Sequence, residues 1–393
     1  MKTSAYPNGT IVGDSLPGSP ELSARGNVTA GCRTDSFIRP SVPSLANGLK
    51  DLPLPLHDRV IPYTVFYPVC ADEPGENCVY TDYMGRIDLG NLQSFTFPGR
   101  ARSGGTPDRS MGPRPVVIIS HGYPGSMMLL VNLAENLSSK GYIVFSLSHT
   151  DNAYTDFLPE GSFESALIHR SLDQRAMLDE LTRLNAAGPL AGLLDLDRVA
   201  LIGFSMGGYG LLRTLGAKIG DKLLEEHPQI ASHLTEPDWH GDSRVKAAVL
   251  FAPATFLVDA AHLEDIRVPT LWGCGTMDRV VGYDAVHAAF QTARNSRRTM
   301  ISYIGCGHNV ANNPAPPCAL SADWSILKRW ADPVWDTARL NTINLHFITA
   351  FLRQSLLGEN GEAYYAGLRE GEPLPGFTAD TDVGVRVEHL PEN

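Results

Sequence analysis

Short apolar runs alternate along the chain with longer segments in which apolar residues recur every three or four positions. The runs lie at residues 115–120, 142–147, 198–204, 247–251, 270–272 and 300–304. Continuous apolar runs are typical of strands buried on both faces of a parallel sheet. Between residues 163 and 185, apolar side chains recur at helical spacing with charged ones between them, which predicts an amphipathic helix. The alternation predicts an α/β fold with a mostly parallel central sheet flanked by helices.

Segments that interrupt this alternation define the predicted domain organisation. Residues 1–50 are rich in Gly, Pro, Ser and Asn and have no periodic pattern, which predicts an irregular N-terminal extension. Residues 51–393 are predicted to form one domain with insertions at about 70–113 and 218–244. We interpret the second insertion as a cap or lid. The alternative is a surface helix remote from any ligand.

Composition limits the classes of function. The 393 residues are 43% hydrophobic and 19% charged, which is typical of a globular protein with a sizeable core. A net charge of −11 argues against nucleic acid as the main partner. No run reaches the roughly 18 apolar residues that a transmembrane helix needs. The first residues lack an apolar signal region, which predicts a cytoplasmic protein, or a secreted one if Met1 is an added start on a processed chain.

The cysteines do not identify a cofactor or a compartment. The six cysteines include no C-x-x-C pair and no zinc-like spacing, so we expect neither a metal site nor a cofactor. Two pairs are spaced to close a loop, Cys70 with Cys78 and Cys306 with Cys318. Free buried thiols are an equal alternative, and the oligomeric state is likewise open.

One stretch has the pattern of a nucleophile. Residues 203–207 read Gly-Phe-Ser-Met-Gly, directly after an apolar run, and fit the G-x-S-x-G turn between a strand and a helix. Side chains on either side of such a sharp turn would collide, so glycine is needed at both flanks. The turn exposes the hydroxyl of Ser205 beside the amides of a helix N-terminus, which predicts a nucleophilic serine.

A nucleophilic serine needs a base and a carboxylate that orients the base. Asp278 follows the predicted strand at 270–272, and His308 follows the one at 300–304. Because parallel strands end at one edge of a sheet, both side chains are predicted to lie near Ser205. The chain order of serine, acid and histidine is the one that α/β hydrolases use.

Backbone amides complete the predicted site. The turn at His121-Gly122-Tyr123 follows the first buried strand, and the Tyr123 amide is predicted to form an oxyanion hole with the Met206 amide. His121 is interpreted as a hydrogen-bonding residue rather than a base. Further residues are predicted to line the substrate pocket: His121, His149, Asp151, Phe204, Ala254 and Trp239.

These motifs resemble those of the serine α/β hydrolases related to platelet-activating-factor acetylhydrolase, to dienelactone-hydrolase-like esterases and to the cutinase and polyester-hydrolase branch. The resemblance covers about residues 58–357. It implies an α/β-hydrolase fold, a triad of Ser205, Asp278 and His308, and an oxyanion hole built by the two amides. There are two departures. Dienelactone hydrolases carry Cys in place of Ser205, and residues 252–254 lack the Trp or His that is usual in polyester hydrolases.

The sequence therefore predicts a serine esterase, lipase-like in its motifs, that cleaves a small or medium carboxylic ester through an acyl-enzyme. The same triad would also serve an acyltransferase, a lactonase or amidase, or a polyester hydrolase. A catalytically silent binding scaffold is the alternative from another class.

Overall fold

The computed structural model describes residues 11–70, 75–84, 92–368 and 372–393. Within these residues, the centre of the molecule is a sheet of eleven strands. In chain order they are β1 (Ala30–Pro43), β2 (Leu56–Pro68), β3 (Asn77–Met84), β4 (Gln93–Ser103), β5 (Arg114–Ser120), β6 (Ile143–Leu147), β7 (Leu194–Phe204), β8 (Val245–Phe251), β9 (Thr270–Gly275), β10 (Arg298–Tyr303) and β11 (Val385–Leu390).

The middle of the sheet is parallel. The order across it is β11-β10-β9-β8-β7-β5-β6-β2-β1-β4-β3. The strands from β10 to β6 in this order are all parallel, whereas β11 and β2 join them antiparallel. The side chains of β5 from Val116 to Ile119 are at most 1% exposed, as expected for a strand covered on both faces. The predicted mostly parallel sheet is confirmed.

Helices flank the sheet. They are α1 (Val131–Ser139), α2 (Ser162–Ala186), α3 (Met206–Thr214), α4 (Asp221–Glu226), α5 (Ala231–Leu234), α6 (Tyr283–Thr292), α7 (Pro317–Leu320), α8 (Trp324–Leu327) and α9 (Thr337–Leu352). Helix α2 packs against α3, and α1 packs against α9. The amphipathic helix predicted at residues 163–185 is α2. No helix in the described ranges is both long and apolar enough to cross a membrane.

The N-terminal region corrects one prediction. Residues 1–50 were expected to be irregular, yet they contain β1, which pairs antiparallel with β2 from Ala30↔Pro68 to Pro43↔Leu56. Polar residues occupy much of this strand, so its apolar periodicity is weak. Its place in the sheet comes from backbone hydrogen bonds to β2, which a hydrophobic pattern does not encode. Residues 1–10 lie outside the described part.

Two further segments add strands that were not predicted. The insertion at about 70–113 contains the antiparallel hairpin of β3 and β4, and β4 also pairs with β1. Residues 71–74 and 85–91 of it lie outside the described part. The polar C-terminal segment contributes β11, which pairs along the full length of β10. In both cases an existing sheet edge supplies the partner for a strand with a weak pattern.

The insertion at 218–244 contains α4 and α5. It begins beside the segment that follows β8, because Ile219 forms a β-bridge with Val258. It ends at the C-terminus of α3, where the Asp242 amide donates a hydrogen bond of 2.9 Å to the Thr214 carbonyl. The two halves of the insertion therefore lie at opposite ends of α3.

Candidate active site

The turn between β7 and α3 holds Ser205 in an unusual backbone conformation, with φ 54° and ψ −114°. The flanking glycines make this turn possible. A Cβ atom on Gly203 would lie 2.6 Å from the Gly207 carbonyl oxygen, and one on Gly207 would lie 2.1 Å from the Ser120 carbonyl oxygen. Since real side chains do not approach this closely, only glycine fits both positions. A positive φ at a non-glycine residue is strained and is often found at functional sites.

Three side chains from separate loops form one hydrogen-bonded chain. Nε2 of His308 lies 3.0 Å from Oγ of Ser205, and Nδ1 of His308 lies 2.8 Å from Oδ2 of Asp278. His308 follows β10 and Asp278 follows β9, so the parallel strands bring both residues to the edge where β7 ends. The structure thus brings together the three residues predicted as a triad.

The carboxylate of Asp278 is held from both sides. Its Oδ1 accepts hydrogen bonds from the amides of Val280 at 2.8 Å and Val281 at 3.1 Å. Its Oδ2 also faces the Cys274 thiol at 3.8 Å. Burial alone would raise the pKa of Asp278, but the hydrogen bond and charge of His308 and the two amides outweigh it and lower the pKa. Asp278 is therefore ionised and oriented toward the imidazole.

The loop that carries His308 is anchored to the C-terminal region. The Gly307 amide donates to Oδ2 of Asp332 at 2.6 Å. The other oxygen of Asp332 accepts from the amides of Val334 and Trp335, both at 2.8 Å. These bonds fix the backbone next to the imidazole. Sequence reasoning missed Asp332, because nothing in the spacing along the chain relates it to His308.

The backbone turn after β5 passes close to Ser205. A Cβ atom on Gly122 would lie 3.5 Å from Cβ of Ser205 and 3.0 Å from the Phe204 ring. The next residue is Tyr123, whose amide has no backbone acceptor in the part of the chain that the structure describes. Met206 is the first residue of α3, where amides lack an acceptor within the helix. Both amides predicted to form an oxyanion hole therefore belong to residues next to the turn at Ser205.

Behind this turn lies a buried polar network. His121 is 1% exposed; its Nδ1 bonds the Gly122 carbonyl at 2.7 Å, and its Nε2 accepts from the His149 amide at 3.1 Å. Burial, with Arg170 and His149 nearby, lowers the pKa of His121 well below its usual range. His121 is thus a neutral, hydrogen-bonding residue, and a role in lining the pocket remains a prediction.

His149 lies deeper in the same network. Its Nε2 is 2.8 Å from Oγ of Ser120, and its Nδ1 is 3.0 Å from Oδ2 of Asp173. Burial lowers the pKa of His149 to about 3. Asp151 pairs with Arg59, whose Nη1 is 2.5 Å from its Oδ2. Because the side chains of His149 and Asp151 already have partners inside the protein, the structure gives their predicted pocket role no support.

The remaining predicted pocket residues divide into two groups. The Phe204 ring lies 5.1 Å from the His308 ring, and the Ala254 amide donates to the Ser205 carbonyl at 3.2 Å, so both adjoin the site. Trp239 does not. Its Nε1 donates to the Arg213 carbonyl at 2.8 Å, near the C-terminus of α3, and eight helical residues separate Arg213 from Ser205 by about 12 Å.

An aromatic cluster beside Tyr123 was not predicted. The ring centroid of Tyr123 is 5.8 Å from that of Phe157 and 6.0 Å from that of Phe163. The Phe163 ring is in turn 6.0 Å from the ring of His227, which follows α4. We call these four residues the aromatic cluster. They come from three distant segments, so only the tertiary structure brings them together.

Other chemistry is not evident at the site. The six cysteines are free thiols in the structure. Among the described residues, no three His, Cys, Asp or Glu side chains are grouped as metal ligands would be.

Comparison with known proteins identifies the fold. No protein-family model matches this chain, and no curated protein matches it. Among solved structures, it is similar to the ferulic acid esterase from Streptomyces cinnamoneus, with a TM-score of 0.60 and 18% sequence identity. The similarity covers 94% of this chain and 99% of the esterase. At this identity the comparison shows a shared fold, and that fold extends over nearly the whole of both chains.

Proposed function

We propose that this protein is a serine hydrolase of the α/β-hydrolase type that cleaves a carboxylic ester through an acyl-enzyme. The observation that carries the proposal is the hydrogen-bonded chain from Ser205 through His308 to Asp278, with Ser205 in a strained turn at the start of a helix. Serine hydroxyls are weak nucleophiles unless an adjacent base removes their proton.

The proposed reaction has two halves. His308 takes the proton of the Ser205 hydroxyl while the oxygen attacks the ester carbonyl, and the amides of Tyr123 and Met206 stabilise the resulting oxyanion. The tetrahedral intermediate collapses, and the alcohol leaves with the proton from His308. Water, deprotonated by His308, then attacks the acyl-enzyme and releases the acid. Asp278 keeps the imidazole in the tautomer that both halves need.

The shared fold with an esterase supports ester chemistry as the first reaction to test. The ferulic acid named for that structure makes a ferulate ester one substrate of interest, because this chain has its own aromatic cluster beside the predicted oxyanion turn. The aromatic cluster would form one wall of the acyl pocket.

Covalent labelling tests the proposed nucleophile. A fluorophosphonate probe should modify wild-type protein at Ser205, located by peptide mass spectrometry, and p-nitrophenyl acetate should give a burst of p-nitrophenol equal to the enzyme concentration. The Ser205→Ala variant should give neither signal. Labelling of another residue, or turnover without a burst in a variant that cannot be labelled, would refute the acyl-enzyme. Added methanol should divert the acyl group only if the enzyme is an acyltransferase.

The first half of the 218–244 insertion is the part that would roof the site. Its His227 contacts Phe163, which contacts Tyr123, and Phe256 nearby is 59% exposed. The second half, with Trp239, packs instead on α2 and α3, where the Arg175 guanidinium lies 3.6 Å from the centroid of the indole ring. A partial roof favours a small or medium ester over a polymer.

Two matched variants test the roof. Phe163→Ala should change kcat/KM for bulky aromatic esters, such as methyl ferulate, by about tenfold relative to acetate esters, because it opens the wall next to Tyr123. Trp239→Ala removes a ring of larger size at the other end of α3 and should leave that ratio unchanged. Equal ratios in both variants would remove the aromatic cluster from the substrate pocket.

A further inference from the structure

Arg170 of α2 is a buried cation without an ionic partner. Its side chain lies in a residue that is 1% exposed. It donates hydrogen bonds to the His121 carbonyl, to the Gly122 carbonyl at 3.0 Å, and to Oδ1 of Asn152, with Nε at 3.1 Å from that oxygen. Within the part of the chain that the structure describes, no carboxylate forms an ion pair with it. Its charge is therefore held by neutral oxygen atoms.

Such an arrangement is costly unless the guanidinium does something that a neutral group would not. Burying a charge removes its hydration, and an ion pair usually compensates for the loss. Here burial lowers the pKa of Arg170 to about 9. Two of its acceptors are consecutive carbonyls of the turn that passes Ser205, so the guanidinium fork matches the shape of that turn.

The second carbonyl has a chemical link to the proposed oxyanion hole. The Gly122 carbonyl and the Tyr123 amide are the two ends of the same peptide group. A hydrogen bond accepted by the oxygen of a peptide polarises it and strengthens the N–H at the other end. The Gly122 oxygen accepts from the charged Arg170 and faces Nδ1 of His121 at 2.7 Å. Charge-assisted bonds have the larger effect.

We propose that Arg170 is a positioning residue for the oxyanion hole: it fixes the turn at residues 121–123, and its charge makes the Tyr123 amide a stronger donor to the oxyanion. This inference rests on the proposed function and extends it to a residue that makes no contact with the substrate. The benefit of the buried charge is realised when negative charge develops on the reacting oxygen.

The chain offers a matched control one helical turn away. Gln174 of α2 also donates to a backbone carbonyl, that of Gly207, at 3.1 Å, and its Oε1 accepts from Thr214. The Gly207 carbonyl belongs to the peptide group of the Gly208 amide, which has no place in the proposed oxyanion hole. Gln174→Leu therefore disturbs the same helix and the same turn region without altering an oxyanion donor.

The experiment compares binding of a charged adduct with binding of substrate. A trifluoromethyl ketone forms a tetrahedral adduct with the serine, and its oxygen carries the negative charge. We would measure its inhibition constant, the KM of the matching ester and the melting temperature for wild type, Arg170→Met, Arg170→Lys and Gln174→Leu. Arg170→Met should weaken the ketone 10- to 100-fold more than it raises KM, in line with the loss of part of an oxyanion donor.

The other variants separate charge from structure. Arg170→Lys keeps the charge but lacks the fork that reaches both carbonyls, so it should weaken the ketone about 3- to 10-fold relative to KM. Gln174→Leu should lower the melting temperature and leave the ratio of the two constants at the wild-type value. If Arg170→Met does not fold, Arg170→Lys decides. A wild-type ratio in a folded Arg170 variant overturns the proposal.

Failure of the proposed function would look different. In that case the wild-type protein would neither be labelled by the fluorophosphonate nor be inhibited by the ketone, and no ratio would exist to compare. A wild type that reacts with both probes, with Arg170 variants that keep its ratio, would leave the serine hydrolase in place and overturn the role of Arg170 alone.

Discussion

Two hydrogen-bonded chains of serine, histidine and aspartate lie side by side in this molecule. They are the site chain, Ser205–His308–Asp278, and the buried chain, Ser120–His149–Asp173. The distances from the histidine to the serine and to the aspartate are 3.0 and 2.8 Å in the site chain. They are 2.8 and 3.0 Å in the buried chain. In connectivity and length the two are equivalent.

Their surroundings differ in three respects. Ser205 sits in a turn with a positive φ, whereas Ser120 is the last residue of β5 and has ordinary strand geometry. His308 is partly accessible, whereas His149 is 0% exposed. Asp278 is held by backbone amides, whereas Asp173 forms ion pairs with Arg39 at 2.5 Å and Arg59 at 3.2 Å. The comparison teaches that a serine, histidine and aspartate in contact do not by themselves make a reactive serine.

What the buried chain lacks is access and a place for the oxyanion. Although burial alone would raise it, Arg59 and Arg39 hold the pKa of Asp173 well below its usual range. The buried chain therefore neutralises charges inside the protein and ties β5, β6 and α2 together. The site chain has the turn and the helix amides that let a substrate carbonyl approach. The following predictions test this division.

Replacing the two serines should have the largest and most unequal effects. Ser205→Ala should lower kcat on a short p-nitrophenyl ester by about 10³- to 10⁶-fold, as removal of a triad serine does. Ser120→Ala should change kcat less than about tenfold. It should instead lower the free energy of unfolding by about 1–3 kcal/mol, because Nε2 of His149 loses its buried donor. Steady-state kinetics and urea unfolding measure both, and a large loss of kcat in folded Ser120→Ala would contradict the division.

Replacing the two aspartates should separate activity from stability. Asp278→Asn should lower kcat by about 10²- to 10⁴-fold with little change in melting temperature, because the imidazole loses its preferred tautomer. Asp173→Asn should leave Arg59 and Arg39 facing a neutral amide in the interior and cost about 3–5 kcal/mol of stability. Circular dichroism melts and kcat per folded molecule distinguish the two effects. Similar melting temperatures for both variants would argue against a structural role for the buried chain.

The buried histidine should give the protein part of its acid sensitivity. The pKa of His149 is about 3 in the folded protein, lowered by burial and by Arg170 and Arg59 and opposed by Asp173, whereas an unfolded histidine has a pKa of about 6.5. The unfolded chain thus binds the extra proton between these values, so stability should rise with pH from about 3 to 6.5. His149→Gln should flatten this rise by up to one proton, as measured by unfolding at several pH values. Parallel curves for variant and wild type would count against it.

The thiol beside the site chain should have the smallest effect. Sγ of Cys274 lies 3.8 Å from Oδ2 of Asp278, a weak contact compared with the arginines that hold Asp173. Cys274→Ala should therefore lower kcat less than about threefold, because the amides of Val280 and Val281 still orient the carboxylate. A loss of more than tenfold at unchanged melting temperature would mean that the thiol, rather than the amides, positions Asp278.

The sequence by itself determined the parallel centre of the sheet and the site chain. Continuous apolar runs identify β5 to β10 because their strands are buried on both faces, and burial is recorded directly in residue type. The position of Ser205 follows from the glycines at 203 and 207, which the tight turn requires. Asp278 and His308 could be placed because parallel strands end at one edge, so position after a strand translates into proximity.

The tertiary structure alone decided what surrounds that site. Strands β1, β3, β4 and β11 have weak patterns, and only pairing with an existing edge makes them strands. Trp239 was predicted in the pocket from its place in the insertion, yet the chain folds back along α3 and carries it to the other end. Arg170, Asp332 and the aromatic cluster were not found either, because their roles depend on contacts between segments far apart in the chain. Side chains near in sequence share an element, whereas those that meet across elements do so through packing, which residue patterns do not record.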